Sequence, residues 1–173
     1  MKTLVFTPTW NEASNIEALI REIFIQVPFV HLLVVDDRSP DGTGRIAEAL
    51  RDEFPNLTVL HRDGPRGRGW AGIAGYIWGL DHEADYIVEM DADFSHQPKY
   101  LSALIDALDR SEVVIGSRYM HGGKDLRPGV FRRLISRLAN QYQKWMFGTH
   151  VQDCTSGFRA YRASALEAIG VRN

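Results

Sequence analysis

The chain contains little cysteine, no long apolar segment and only a small excess of charge of one sign. Its single cysteine, Cys154, excludes an internal disulfide and fits a reducing compartment. No segment approaches the ~18–20 consecutive apolar residues of a membrane span, and the apolar run at the N-terminus is too short for a signal peptide. The formal net charge of −2 gives no overall attraction for nucleic acid. We therefore expect a globular chain that does not cross a membrane and has no nucleic acid as a partner.

The Walker A signature of a phosphate-binding loop is also missing. Residues 61–69 combine glycines with arginines ahead of a predicted helix, but they lack the Gly-Lys-Ser/Thr ending of a Walker A loop. This segment fits either an anion site made of backbone N–H groups and arginines or a solvated turn. Residues 8–12, which follow the first predicted strand, read Pro-Thr-Trp-Asn-Glu, where a nucleotidyltransferase is expected to have a glycine-rich loop.

What the chain does contain is a regular alternation of short apolar runs and helical patterns. The predicted strands are Thr3–Thr7, His31–Val35, Leu57–His61, Tyr86–Met90 and Val113–Gly116. The predicted helices cover residues 14–24, 43–54, 70–83, 98–109 and 130–147, with a short last helix from Ser164 and a loop at 119–129. This alternation predicts an α/β fold with a mostly parallel central sheet flanked by helices, and ligands at the carboxyl ends of its strands. Without repeats or linkers, residues 1–173 are predicted to form one domain.

The most informative motif is Asp91-x-Asp93, which follows the predicted strand 86–90. In extended backbone, residues two apart point to the same side, so the two carboxylates can converge on one point. A hard divalent cation such as Mg²⁺ or Mn²⁺ suits these oxygen ligands and relieves their repulsion. Alternatively, Asp93 caps the next helix and Asp91 is solvated, and the motif alone leaves both interpretations open.

Other polar residues follow the remaining strands. Asp36 and Asp37 end the second predicted strand, at the position where a base or ribose would bind, whereas Asp41 and Thr43 favour a helix-capping role. Arg118 follows the fifth strand and is either placed to reach a phosphate or an ordinary surface arginine.

The predicted helix 130–147 is basic and has aromatic residues near its ends. Arg132 and Ser136 lie four residues apart and therefore share one face. A helix of this kind can rest on an anionic membrane surface. An amphipathic helix packed on the sheet would have much the same pattern, so both interpretations stay open.

Taken in order, these segments resemble glycosyltransferase family 2, which has the GT-A fold, over nearly the whole chain. The resemblance is greatest to its dolichol-phosphate (polyprenol-phosphate) mannose synthase group. The matching stretches are residues 8–12, 36–43, 67–69, 90–96, 116–119, 122–123, Arg132 with Ser136, and 153–159. Trp10 stands where a tyrosine is common, and Arg68 and Gly72 replace the apolar and aromatic residues that are usual at their positions.

The resemblance implies a metal-dependent, inverting transfer of mannose from GDP-mannose to a polyprenyl (dolichyl-type) monophosphate. It implies a donor pocket formed by Pro8, Trp10, Glu12, Val35, Asp37, Asp91, Ala92, Asp93 and Arg118. Mg²⁺ or Mn²⁺ would be held by Asp91 and Asp93, with Ser95 beside them. The acceptor's phosphate would bind Arg132 and Ser136, and the catalytic residues would be Asp91, Asp93, Arg118 and Arg132. Asp153 is expected to orient one of the arginines.

The lipid acceptor also implies a location. The resemblance predicts a cytoplasmic protein, peripheral at the cytoplasmic face of a membrane, with a membrane surface or an anchoring protein as its partner. It further implies that the C-terminal part of the family's domain is missing from these 173 residues. The alternatives are a family 2 transferase that uses a UDP-sugar with another lipid-phosphate or polysaccharide acceptor, and a non-catalytic nucleotide-sugar-binding domain.

Overall fold

The computed structural model describes residues 1–119, 130–148 and 151–172. Within the helix at 130–147, the side chains of residues 130–134, 137, 139, 144 and 147 are outside this description. The predicted loop 119–129 therefore lies outside the described residues, except for Tyr119. Among the described residues, no helix combines the length and apolar character required to cross a bilayer.

The chain alternates strands and helices as the apolar pattern predicts. The strands are β1 (Thr3–Thr9), β2 (His31–Asp36), β3 (Leu57–His61), β4 (Tyr86–Glu89), β5 (Val113–Ile115) and β6 (Arg159–Arg162). The helices are α1 (Ile16–Gln26), α2 (Thr43–Ala49), α3 (Arg68–Asp81), α4 (Leu101–Ala107), α5 (Val130–Phe147) and α6 (Ala163–Ala168), with a 3₁₀ turn at Pro98–Tyr100 before α4.

The strands form one sheet in the order β3-β2-β1-β4-β6-β5. The first four pair in parallel, whereas β6 is antiparallel to both β4 and β5. The order reverses beside β1, so the loops after β1, β2 and β4 meet at one edge of the sheet, where open α/β sheets bind ligands. The predicted mostly parallel sheet flanked by helices is confirmed.

Helices cover both faces of the sheet because successive residues of β1 point to opposite sides. Val5 packs in a core with α1 and α4, while Leu4 and Phe6 pack in a second core with α3 and α6. Helix α3 approaches β1 so closely that a Cβ at Gly75 would overlap the Phe6 ring. This contact fixes α3, and with it the loop that precedes α3, against the centre of the sheet.

One predicted helix is too long, and one strand was not predicted. The helix predicted over 43–54 ends at Ala49, because the backbone N–H groups of Leu50 and Arg51 bond to carbonyls three residues back and tighten the chain into turns. Strand β6 was not predicted, since residues 159–162 have arginine at both ends and no apolar run. Its strand conformation comes from antiparallel pairing with β4 and β5. This pairing cannot be read from the sequence of residues 159–162 alone.

Candidate functional site

A cavity of about 550 Å³ opens at the carboxyl ends of β1, β2 and β4. Its walls are the loops that follow these strands and the first turns of α3. The lining residues are Pro8, Thr9, Trp10, Glu12, Asp37, Arg66, Gly67, Arg68, Ala71, Asp91, Ala92 and Asp93.

Most of the residues predicted to bind a donor meet in this cavity. Pro8, Trp10, Glu12, Asp37, Asp91, Ala92 and Asp93 line it, as the convergence of strand ends requires. Val35 does not line it, because its side chain is 0% exposed and packs in the core beneath α3. Arg118 is not among the lining residues either, and belongs to a neighbouring polar cluster.

The first two loops are bound to each other by Asp41. Its carboxylate accepts hydrogen bonds from the backbone N–H of Ala13 and from the N–H and hydroxyl of Thr43, at 2.6–3.0 Å. The Thr43 hydroxyl in turn accepts the backbone N–H of Glu12 at 2.9 Å. Asp41 thus fixes both the start of α2 and the loop after β1, which holds Glu12 at the cavity wall.

Asp37 organises the third loop. Its two carboxylate oxygens accept the Arg62 Nε–H at 2.7 Å and the backbone N–H of Gly67 at 2.9 Å. The neighbouring Arg66 guanidinium lies over the Trp10 ring, 4.4 Å from its centroid. These contacts place two loops from distant parts of the sequence around one side of the cavity.

Three loop residues at this edge of the sheet have a left-handed backbone. Asn11, Arg38 and Phe94 have φ of 58°, 57° and 59°, in the loops after β1, β2 and β4 respectively. This conformation is costly for a bulky residue such as Phe94 and persists only where the surrounding structure imposes it. Such strain is concentrated at functional sites in proteins.

The Asp91-x-Asp93 motif lies on the wall nearest α3. Asp91 Oδ1 accepts Arg68 Nε–H at 3.0 Å and Nη2–H at 2.5 Å, and the Asp91 backbone N–H donates to His96 Nδ1 at 2.9 Å. Asp93 Oδ1 accepts the backbone N–H of Ser95 at 2.9 Å. Partial burial alone would raise the pKa of Asp93, but the hydrogen bonds from Ser95 outweigh it and lower that pKa.

The donor set of this wall fits a hard divalent cation that is completed by its substrate. The described residues contain no cluster of three or more His, Cys, Asp or Glu side chains positioned to hold a metal ion. Asp91 and Asp93 instead supply two carboxylates on one cavity wall. Mg²⁺ and related ions are commonly bound by one or two carboxylates, with water and substrate phosphates in the other positions.

Beneath Asp91 lies a buried carboxylate, Glu89. Its Oε2 accepts the Tyr76 hydroxyl at 2.5 Å, and its Oε1 lies 3.4 Å from Arg68 Nη2. Burial raises the pKa of Glu89, against the opposing effects of Tyr76 and Arg68. Burial and the neighbouring Glu89 raise the pKa of Tyr76 strongly, so its hydroxyl stays protonated and donates.

A second polar cluster joins the end of β5 to α5. Arg118 donates from Nε and Nη2 to the two oxygens of Asp153, at 2.7 and 2.8 Å, and from Nη2 to the Thr155 hydroxyl at 2.7 Å. The Ser136 hydroxyl lies 3.0 Å from the Thr155 hydroxyl and accepts the Tyr119 hydroxyl at 3.2 Å. Burial would raise the pKa of Asp153, but the bonds from Arg118 lower it below its ordinary value.

This cluster brings together two residues predicted from the sequence, Arg118 and Ser136, and adds two that were not, Tyr119 and Thr155. The expected pairing of Asp153 with an arginine is confirmed for Arg118. The Arg132 side chain is outside the described residues, although its backbone lies in α5.

In the cavity, the residues not predicted as ligand contacts are Thr9, Arg66, Gly67, Arg68 and Ala71. The sequence signal that could have placed Arg66 and Arg68 in this site is the interleaving of glycines and arginines in residues 61–69.

Comparison with known proteins decides the family. A model of the family described as glycosyl transferase family 2 matches residues 4–170. The chain belongs to glycosyl transferase family 2. The expected membership is therefore confirmed.

Two relatives and one solved structure are similar to this family 2 chain. It is 45% identical over 171 residues to a polyprenol monophosphomannose synthase from Mycolicibacterium smegmatis, a match that covers 97% of this chain and 64% of that protein. It is 44% identical over 169 residues to an undecaprenyl-phosphate mannosyltransferase from Micrococcus luteus, covering 98% of this chain and 70% of that protein. A mannosyltransferase from Pyrobaculum calidifontis, in complex with GDP-Man and Mn²⁺, superposes with a TM-score of 0.67 at 22% identity, over 98% of this chain and 46% of that chain.

The chain thus spans about two thirds of the length of these relatives and about half of that structure. The structural likeness shows the fold, which is the GT-A fold of glycosyltransferases.

Proposed function

We propose that this chain is a single GT-A catalytic domain that transfers mannose from GDP-mannose to a polyprenyl monophosphate, with inversion and with a divalent cation. One observation supports this most strongly. Asp91 and Asp93 share a cavity with Trp10, Glu12 and Asp37, in a chain that is 45% identical to a polyprenol monophosphomannose synthase.

The proposed donor occupies the cavity with its nucleoside toward the loops after β1 and β2. Pro8, Trp10, Glu12 and Asp37 line that side, and Val35, which pairs with Pro8 in the sheet, is buried. The diphosphate lies along Asp91, Ala92 and Asp93. Mg²⁺ or Mn²⁺ would be held by Asp91 and Asp93 with Ser95 beside them, and would supply positive charge to the departing diphosphate.

Other residues of the chain are proposed to position the acceptor and to stabilise negative charge on the donor side. A phosphate monoester has a second pKa of about 6, so a polyprenyl phosphate is anionic near neutral pH and needs little help from a base. We assign its positioning to Arg132 and Ser136, and assign to Arg118 the stabilisation of negative charge on the donor side. Asp153 holds the Arg118 guanidinium through both carboxylate oxygens, which is an orienting role. Attack from the face opposite the diphosphate inverts the anomeric centre.

The test is calorimetric titration of GDP, GDP-mannose, UDP and UDP-glucose with and without Mn²⁺, followed by an assay of mannosyl transfer to a polyprenyl phosphate. We expect metal-dependent binding of the guanine ligands and transfer to the lipid phosphate. A preference for the uracil ligands would instead support a UDP-sugar transferase with another lipid-phosphate or polysaccharide acceptor. Binding without transfer to any acceptor would support a non-catalytic nucleotide-sugar-binding domain.

We also propose that α5 rests on an anionic membrane surface, at the cytoplasmic face, where the lipid acceptor is presented. Apolar side chains are exposed along this helix. They are Ile135, Leu138, Tyr142, Trp145 and Met146, with Trp145 79% and Leu138 60% exposed. Residues 135, 138, 142 and 145 share one face at helical spacing, as in helices that lie in a membrane interface.

Replacing both Leu138 and Trp145 with serine is expected to weaken binding to vesicles of anionic phospholipid by about tenfold or more, because less apolar surface leaves water. Cosedimentation with the vesicles measures the effect. Phe29→Ser is the matched control, since Phe29 is a similarly exposed aromatic residue in the loop after α1. An equal loss in the control, or no loss in the double variant, would contradict the membrane role of α5.

A further inference from the structure

Arg68 is hydrogen-bonded to Asp91, one of the two carboxylates that the proposed function assigns to the metal. It is the first residue of α3, and its guanidinium donates two hydrogen bonds to Asp91 Oδ1. The same guanidinium lies 3.4 Å from Glu89, so it bridges two carboxylates at the end of β4.

Residues from other elements pack closely around the Arg68 guanidinium and its partner Glu89. Gly157, in the loop before β6, lies so close to the guanidinium that a Cβ there would overlap Arg68. Gly72, one turn after Arg68 on α3, lies beside Glu89 at ordinary contact distance. The partly buried Tyr76 hydroxyl donates to the other oxygen of Glu89. Elements from three parts of the chain therefore form the pocket that places Arg68 on Asp91.

We propose that Arg68 acts as a stand-in for the metal, holding Asp91 until the cation and a nucleoside diphosphate arrive together. This inference rests on the proposed function, which assigns Asp91 and Asp93 to the cation. Arg68 is thus a positioning residue that couples the two binding events.

The coupling follows from charge. A dication at Asp91 and the Arg68 guanidinium repel each other and compete for the same carboxylate, so the cation alone binds weakly. A diphosphate offers the displaced guanidinium new bidentate partners of the right geometry. Binding of the diphosphate therefore releases Asp91 to the cation, and the two ligands strengthen each other's binding reciprocally.

Mn²⁺ binding to the nucleotide-free protein tests this directly, by electron paramagnetic resonance of the free ion. Arg68→Gln is expected to bind Mn²⁺ about tenfold more tightly than the wild type, since one competing charge is removed. With saturating GDP the difference is expected to shrink, because Arg68 has already left Asp91. Gly157→Ala, which keeps every charge but displaces the guanidinium, is expected to tighten Mn²⁺ binding in the same direction.

Arg66→Gln is the matched control, because Arg66 lines the same cavity but contacts Trp10. The inference is overturned if Arg68→Gln binds Mn²⁺ no more tightly than the wild type, or no more tightly than Arg66→Gln. It is also overturned if Gly157→Ala leaves the affinity unchanged, since the contact itself would then have no effect. If one of these overturning results is obtained and Asp93→Asn still abolishes Mn²⁺ binding, the proposed metal site is supported and only the proposed role of Arg68 is wrong. If no variant binds Mn²⁺ even with GDP, the proposed metal site and this inference fail together.

Discussion

The Asp93→Asn variant is expected to transfer mannose about 100- to 1,000-fold more slowly than the wild type. The substitution keeps the size of the side chain but removes one of the two charges proposed to hold the cation. With the cation weakly held, negative charge on the departing diphosphate is no longer neutralised. The nucleotide's affinity should also lose its dependence on Mn²⁺. Steady-state transfer rates and calorimetric titration of GDP, each over a range of Mn²⁺ concentrations, measure the two effects.

Asp106→Asn is the control for this prediction, because Asp106 is an exposed aspartate on α4, away from the cavity. It should transfer mannose at the wild-type rate. Asp93 accepts a backbone hydrogen bond from Ser95, so circular dichroism must show that both variants keep the wild-type fold. A wild-type rate for Asp93→Asn at every Mn²⁺ concentration would contradict the assignment of Asp93 to the metal.

The Asp153→Asn variant is expected to lose about 3 kcal/mol of its free energy of unfolding at pH 7. The Asp153 side chain is 0% exposed and bonds to Arg118 through both oxygens, so the substitution leaves a partly buried guanidinium without its carboxylate. Urea denaturation measures the loss. Glu53→Gln removes an exposed ion pair with Arg21 and should cost less than about 1 kcal/mol. Equal losses in the two variants would contradict a special role for the buried pair.

The effect of Asp153 should also depend on pH with a definite sign. Its pKa in the folded protein is lowered from the ordinary value of 3.8, so its stabilising effect is fully present above that pH. The effect is lost as the pH falls through the lowered pKa of the folded state. The difference in free energy of unfolding between wild type and Asp153→Asn should therefore be constant from pH 7 to about 5 and shrink below pH 3.8. A difference that grows on acidification would contradict this assignment.

The sequence was sufficient for the parts of this protein that depend on local pattern. Apolar runs of strand length, separated by helical periods, predicted five strands and a mostly parallel sheet. The resemblance to glycosyltransferase family 2 also implied that the loop residues Trp10, Asp37 and Asp91 would share one pocket, although they are far apart along the chain, and the common edge of parallel strands is consistent with this. In the structure all three residues line one cavity.

Other features could not be predicted because they arise from contacts between distant segments. Strand β6 exists through pairing with β4 and β5, and its own four residues resemble a polar loop. Val35 lies in a strand as predicted, but only its packing beneath α3 shows that its side chain is fully buried and does not line the cavity. The roles of Thr155 and Tyr119 depend on where β5 and α5 come together.

By itself, therefore, the sequence determined the layered α/β architecture, the family and the edge of the sheet at which the cavity lies, since these follow from periodicity and from the order of short motifs. Only the tertiary structure decided which charged side chains face each other. Asp91 pairs with Arg68 rather than with solvent, and Arg118 pairs with Asp153 rather than lying on the surface. The physical reason is that ion pairs form across space with geometry set by packing, and no sequence spacing encodes the distance between two separate loops.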